Sequence, residues 1–334
     1  MVFIRVDTNE IIATGHLMRC LAIADALVNL GEKVTFVFAD KNGCAIVKDK
    51  YNVIVLDTKW DDMDSELNKL IPIIKMNGVD KLIIDSYQVT EKYLSTLKKY
   101  VKTIYIDDIN VFNYDVNELI CYTNYYKKNE YERKYINTKL CLGCKYTPLR
   151  LDFANLPPRI INRNVRELLI MIGGNDINNY IQKILECIKI NEYKKINVIC
   201  GRYNKNYNQL CNKYNEMKNI NIIKSVDNIV DYMLSADIAI SAGGVTLYEL
   251  CACGTPTLSY AIADNQIGNV TQFDIDGVIK YIGDLRKCDF SSIMSNELEK
   301  FCNDYQLRKN LSMKMKKYVS GDGAFNIARE VIDL

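Results

Sequence analysis

Val2-Phe3-Ile4-Arg5-Val6-Asp7, then Thr14-Gly15-His16-Leu17-Met18-Arg19-Cys20 and on to Leu30-Gly31, is the stretch that decides the fold. Its first part is apolar and rich in β-branched residues, and it predicts a strand over Val2–Val6. Leu17, Cys20, Leu21, Ala24 and Leu27 then recur at helical spacing, which predicts a helix over Leu17–Leu30 that stops at Gly31. Lys33–Phe38 predicts the next strand. Strand, helix and strand in that order form the unit of a parallel sheet with helices on its faces.

The same alternation runs outward to both ends. Val53–Leu56, Lys81–Asp85, Thr103–Asp107, Leu119–Tyr122 and Leu140–Leu142 read as further strands of a first half. Asn155-Leu156-Pro157-Pro158 breaks the pattern, because two adjacent prolines continue neither a helix nor a central strand. The alternation restarts with Glu167–Ile172, Ile196–Cys200, Ile220–Ile223, Asp237–Ser241, Thr257–Tyr260 and Val278–Ile282, and a helical tail from Asp304 is interrupted near Gly321-Asp322-Gly323. The expected architecture is α/β, with two Rossmann-like domains facing across a cleft: residues 1–155, a linker over 156–164, and 165–334 including the C-terminal helices. A segment such as Asn155–Asn164 is expected to act as a hinge.

Composition narrows the function classes. The chain has 334 residues, a length that suits two domains. Its 43 basic and 41 acidic side chains leave a net charge of +2, so it has no global electrostatic claim on nucleic acid or anionic membrane. No apolar run approaches the ~18 residues a membrane span needs, and a start that is charged by Arg5 reads as a strand rather than a signal peptide. The twelve cysteines are scattered through apolar stretches, and Cys141 and Cys144 have no second pair to complete a zinc site. Reduced cysteines and a cytoplasmic setting are expected. A single histidine, His16, makes a histidine-based metal centre untenable.

Three loops carry candidate chemistry. Gly15 is expected to let the chain turn into the first helix, and His16 then falls in the first turn, where the helix dipole favours a neutral imidazole able to accept a proton. A histidine in that place could equally cap the helix or pack on the sheet. Gly173-Gly174 follows the first strand of the second half and could admit a phosphate or merely shape a turn. In Ser241-Ala242-Gly243-Gly244-Val245-Thr246-Leu247-Tyr248-Glu249, a buried strand runs through a Gly-Gly turn into a helix whose first amides can hold a diphosphate. Glu249, one turn in, could accept bonds from ribose hydroxyls, and Asn265-Gln266 add polar groups on the next loop. Asp85 and Asp107-Asp108 end two strands and could hold Mg²⁺, a sugar hydroxyl or the next helix, the capping role suiting Asp108 best. The tyrosines, Tyr122 among them, read as compositional background.

These residues together resemble a known family. Arg5-x-Asp7 with Gly15-His16-x-x-Arg19-Cys20, Asp85-x-Tyr87, Asp107-Asp108, Gly143-x-x-Tyr146 with Leu149-Arg150, Gly173-Gly174-x-Asp176, Ser241–Glu249 and Asn265-Gln266 resemble the nucleotide-sugar hydrolases of pseudaminic acid biosynthesis and the related spore-coat polysaccharide proteins. The resemblance implies a glycosyltransferase-B fold and hydrolysis of UDP-2,4-diacetamido-2,4,6-trideoxy-β-L-altropyranose to the free sugar and UDP, with no metal or other cofactor. It makes His16 the base that activates water. It assigns substrate and nucleotide contacts to Asp7, Gly15, Arg19, Asp85, Tyr87, Arg150, Gly174, Asp176, Gly244, Val245, Thr246, Glu249, Asn265 and Gln266. The Gly-Gly turn also resembles the lipid-acceptor transferases of peptidoglycan synthesis, so water and a sugar both stand as acceptors. An inverting glycosyltransferase and a non-catalytic nucleotide-sugar binding protein are the rival expectations. The expected partner is a small-molecule nucleotide sugar, not nucleic acid, and no oligomer is implied. Neither half carries G-x-G-x-x-G after its first strand, which argues against a dinucleotide enzyme.

Overall fold

Val2–Val6 is buried at every position, as a central parallel strand covered on both faces must be. The computed structural model describes residues 1–12, 14–172, 176, 178–201, 204–226, 228–287 and 290–334. Packing divides the chain into two units, Met1–Ala154 with Gly321–Leu334, and Asn155–Ser320. Among the described residues, no helix is long and apolar enough to cross a membrane.

The first unit contains β1 (Val2–Val6), α1 (Gly15–Asn29), β2 (Val34–Phe38), α2 (Cys44–Val47), β3 (Asn52–Val55), α3 (Met63–Met76), β4 (Lys81–Asp85), α4 (Glu91–Leu97), β5 (Lys102–Ile106), β6 (Glu118–Cys121), α5 (Tyr131–Lys134) and β7 (Lys139–Leu142). Its seven-stranded sheet runs β3-β2-β1-β4-β5-β6-β7, with every pair parallel. Strand order reverses between β1 and β4, the place where open α/β sheets bind ligands. Val2, Ile4 and Val6 face one core with α1, while Phe3 faces another with α3 and α4. The alternation of a strand puts Arg5 on the face of Phe3, towards α3.

The second unit contains β8 (Glu167–Met171), α6 (Tyr180–Cys187), β9 (Lys195–Cys200), α7 (Tyr207–Tyr214), β10 (Ile220–Lys224), α8 (Ile229–Ser235), β11 (Ile238–Ala242), α9 (Thr246–Cys253), β12 (Thr257–Ala261), α10 (Asp264–Ile275), β13 (Lys280–Asp284), α11 (Phe290–Asn303) and α12 (Tyr305–Tyr318). Its parallel sheet runs β10-β9-β8-β11-β12-β13 and reverses between β8 and β11. Each expected strand is present within two residues of its sequence reading.

Two expectations need correction. The last helix, α13 (Gly323–Asp333), belongs to the first unit, where Ala324, Ile327, Ala328 and Val331 complete the core beside α1. The approach is close: a Cβ on Gly321 would lie 2.0 Å from the carbonyl oxygen of Phe153, and one on Gly323 2.0 Å from that of Thr147. Lys139 and Lys81 then donate to the Glu330 and Ile332 carbonyls at 2.7 and 2.5 Å, where the helix end attracts cations. The segment 156–164 is irregular, as its prolines dictate, but it is not a free linker. Arg159 donates to the Leu234 and Ala236 carbonyls, and Arg308 reaches the Asn162 and Arg163 carbonyls at 2.9 and 2.7 Å. Lys316 holds the Pro157 carbonyl at 2.9 Å, so the segment lies bound along the second unit.

Candidate active site

The carboxyl ends of β1, β3 and β4 surround a pocket of about 240 Å³ in the first unit. Asp7, His16 and Asp85 line it together with Ser86, Tyr87 and Gln88, and Ile11, Ile12 and Trp60 complete the wall. Helix α1 starts at Gly15, earlier than its apolar periodicity indicates, so His16 stands in its first turn. The expected role of Gly15 needs correction, because it does not adopt a left-handed conformation. A Cβ there would meet open space.

Asp85 organises the site. It is buried at the end of β4 and accepts from His16 Nδ1 at 2.6 Å and from Arg19 Nη2 at 2.5 Å on Oδ1. Its Oδ2 accepts from Arg19 Nε at 2.5 Å and from the Cys20 thiol at 3.4 Å. Burial alone would raise the pKa of this carboxyl, but the Arg19 charge and the bonds from Arg19 and His16 hold it well below the usual carboxylate range. An ionised carboxylate only accepts, so His16 Nδ1 carries a proton, and in the neutral imidazole Nε2 is then the acceptor. Arg19 Nη2 also lies 2.9 Å from Nδ1, and on this assignment it donates to Asp85 instead.

A second layer fixes these groups. Arg19 Nη1 donates to the Tyr122 hydroxyl at 2.9 Å, and its guanidinium stands 5.5 Å from the centre of that ring. Tyr87 meets the His16 imidazole edge to face at 4.8 Å and donates to both oxygens of Asp108, at 2.8 and 3.0 Å. Burial pushes the Asp108 carboxyl up, against the pull of Arg19 and Tyr87. The expected capping role of Asp108 therefore gives way. It is Asp107 that ties the turn, accepting from the Ile109 and Asn110 amides and from Tyr114 and Tyr131.

Asp7 forms part of the pocket floor and is itself held. Its Oδ1 accepts from the Ala39 amide at 2.8 Å and its Oδ2 from Arg5 Nη1 at 2.5 Å. Arg5, wholly buried, forks onto buried Glu66 of α3 at 2.8 and 2.7 Å, and the Tyr93 hydroxyl joins Glu66 at 2.6 Å. Burial pushes the Asp7 carboxyl up despite Arg5.

In the second unit, β11 leaves the sheet through Gly243-Gly244 at the point of strand reversal and enters α9. A Cβ on Gly243 would lie 2.2 Å from Val270 and 3.2 Å from the Gln266 Cβ, so α10 packs directly on this turn. Asn269 locks the contact by donating to the Gly243 carbonyl at 3.0 Å while accepting from Tyr248 at 2.8 Å. Gly244 has open space where a Cβ would stand, Val245 is exposed, and the first-turn amides at Val245 and Thr246 precede any helical acceptor. Glu249 is half-buried one turn on. Asn265 is exposed in the first turn of α10, while Gln266 accepts from the Ile262 amide at 3.0 Å.

The structure thus brings Asp7, Arg19, Asp85 and Tyr87 together around His16, and Gly244, Val245 and Thr246 together with Gln266. Asp176 stands apart as a helix cap, accepting from the Tyr180 and Ile181 amides at 2.8 and 3.0 Å. Arg150 lies over the Phe153 ring and outside the pocket lining. Gly174 falls outside the described residues. Sequence reasoning missed Trp60, Glu66 and the role of Tyr122. Tyr122 directly follows β6, so the carboxyl-end rule that flagged Asp85 would have found it.

Residues 168–283 match the C-terminal domain of glycosyltransferase family 28. The chain is 29% identical over 276 residues to the Helicobacter pylori pseudaminic acid cytidylyltransferase and UDP-2,4-diacetamido-2,4,6-trideoxy-beta-L-altropyranose hydrolase, covering 78% of this chain and 46% of that one. It is 25% identical over 259 residues to an uncharacterised protein of Methanocaldococcus jannaschii, covering 73% and 52%. It therefore spans about half the length of these two relatives. A spore coat polysaccharide biosynthesis protein of Bacillus subtilis is 22% identical over 330 residues, covering 96% and 94%. Among solved structures, Acinetobacter baumannii MurG superposes with a TM-score of 0.70 at 12% identity over 100% of this chain and 99% of that one, a likeness of fold.

Proposed function

We infer that this chain, a member of the glycosyltransferase-B superfamily in the group that holds the pseudaminic acid pathway hydrolase and the spore coat polysaccharide protein, hydrolyses a UDP-linked 2,4-diacetamido-2,4,6-trideoxyhexose. The observation that carries the reading is the hydrogen-bonded His16–Asp85 couple, which leaves Nε2 of the neutral ring to accept, in an open pocket. Water gives a proton to His16 Nε2 as its oxygen forms a bond to the anomeric carbon. The bond from that carbon to the diphosphate oxygen breaks, its electron pair leaves with UDP, and attack from the opposite side inverts the centre. Asp85 keeps the imidazole in the accepting tautomer and stabilises the imidazolium that forms. The first-turn amides at Val245 and Thr246 suit the departing diphosphate, and Glu249 suits the ribose.

The test is UDP release from the donor with no acceptor added. The wild type turns over and His16→Asn does not, although it still binds UDP. Full UDP release by His16→Asn overturns the mechanism. The match to a glycosyltransferase domain favours a second reading, transfer of the same sugar to a carbohydrate or lipid-linked acceptor. That reading expects UDP release only when an acceptor is present.

A further inference from the structure

Once its charged members are accounted for, the pocket around His16 is largely an apolar one. All four acceptor positions of Asp85 are taken by His16, Arg19 and Cys20, and each oxygen of Asp7 already has a partner. The Ser86 hydroxyl accepts from the Gln88 amide at 3.1 Å. Besides His16 Nε2 and the exposed Gln88 side chain, what remains towards the space is Ile11, Ile12, the half-buried indole of Trp60 and the ring of Tyr87. Ile11 is 79% exposed and Tyr87 46%, large values for such side chains unless something covers them.

Trp60 sits on a fixed loop. Leu56 and Thr58 donate their amides to the Phe38 and Ala39 carbonyls, both at 2.9 Å, and Lys69 Nζ clasps the Leu56 and Asp57 carbonyls at 2.7 and 3.0 Å. Asp57 takes the left-handed conformation that turns the chain there. Thr58 Oγ1 donates to Glu66 at 3.4 Å, so the loop shares the Arg5–Glu66–Asp7 network that fixes the pocket floor. The bonded loop thus carries the indole into the wall of the pocket that holds His16.

Resting on the nucleotide-sugar reading above, we propose that Trp60, with Ile11, Ile12 and Tyr87, reads the sugar, selecting donors whose ring carries methyl and acetamido groups over fully hydroxylated hexoses. Hydroxyls facing this wall would lose water without gaining partners, whereas methyl groups gain burial.

Trp60 is the single tryptophan, so indole fluorescence reports on this wall alone. Emission is followed in His16→Asn, which does not consume the donor, during titration with UDP, UDP-glucose and the UDP-linked 2,4-diacetamido-2,4,6-trideoxyhexose. The diacetamido donor shifts the emission and UDP alone does not. In steady state, Trp60→Ala raises KM for that donor by about 10-fold or more and narrows its preference over UDP-glucose, with kcat little changed, and Trp60→Phe recovers most of the loss. Silent emission at millimolar diacetamido donor, or an unaltered preference in Trp60→Ala, overturns the proposal. Emission that responds to the sugar in a protein releasing no UDP without acceptor would sink the hydrolysis and leave the sugar wall standing. Acceptor-free UDP release with a silent Trp60 would do the reverse.

Discussion

His16 Nδ1 lies 2.6 Å from Oδ1 of Asp85, and Arg19 forks onto the same carboxylate with Nη2 on Oδ1 and Nε on Oδ2. The guanidinium keeps the carboxylate ionised, and the carboxylate keeps the proton on Nδ1. In Asp85→Asn the amide can donate to Nδ1, which moves the ring proton to Nε2 and removes the base. Expected is a fall in kcat of about 10²–10⁴-fold with UDP binding retained, measured by UDP release and calorimetry. Near-wild-type turnover would show that Asp85 does not set the tautomer.

The same pair predicts a pH dependence of stability. The folded Asp85 carboxyl is held below the usual range, so near pH 3 the unfolded chain binds more protons at this site than the folded one. Its contribution is therefore complete above the unfolded value of about 3.9 and is lost as pH falls from there through the folded value. Urea unfolding of wild type and Asp85→Asn should differ by a constant amount from pH 7 down to about 4 and converge only below it. A gap that already closes between pH 7 and 5 would contradict the assignment.

Glu66→Ala leaves Arg5 buried with one carboxylate partner instead of two. Breaking one side of a buried ion pair costs about 3–5 kcal/mol, which should appear as a clear drop in the urea midpoint. The Trp60 loop also loses its Thr58 anchor, so indole emission should broaden in the folded state. A change within experimental scatter would mean the network is dispensable.

Much of this arrangement is legible in the chain, and the exceptions share a cause. The strands announce themselves because each is a short apolar run between turns, and the carboxyl-end rule then places Asp7, His16 and Asp85 in one region. Periodicity shows that α13 has an apolar face with Ala324, Ile327, Ala328 and Val331, but not which sheet it covers. Arg5 and Glu66 are 61 positions apart, and nothing local in either α3 or β1 reveals the pairing. Asp85 reads as a possible sugar ligand because its carboxyl-end position is visible while its burial under Arg19 is not. Trp60 escapes notice for a similar reason: it belongs to the loop after an edge strand two places removed from β1.

The adjacent glycines of the second unit separate folding from binding. A Cβ on Gly243 would lie 2.2 Å from Val270 Cγ1 on α10, a helix whose Asn269 is already bonded to the Gly243 carbonyl. Gly243→Ala should therefore cost about 1–3 kcal/mol through overpacking. Gly244 meets nothing within 4 Å and lies outside the left-handed region, so Gly244→Ala should leave the thermal midpoint unchanged. If a diphosphate approaches the backbone here, the added methyl occupies its path, and UDP affinity in Gly244→Ala should fall by about 10-fold, some 1.4 kcal/mol. Calorimetry with UDP on the two variants, beside their melting curves, distinguishes the roles. Unchanged UDP affinity in a folded Gly244→Ala would move the diphosphate away from the α9 turn.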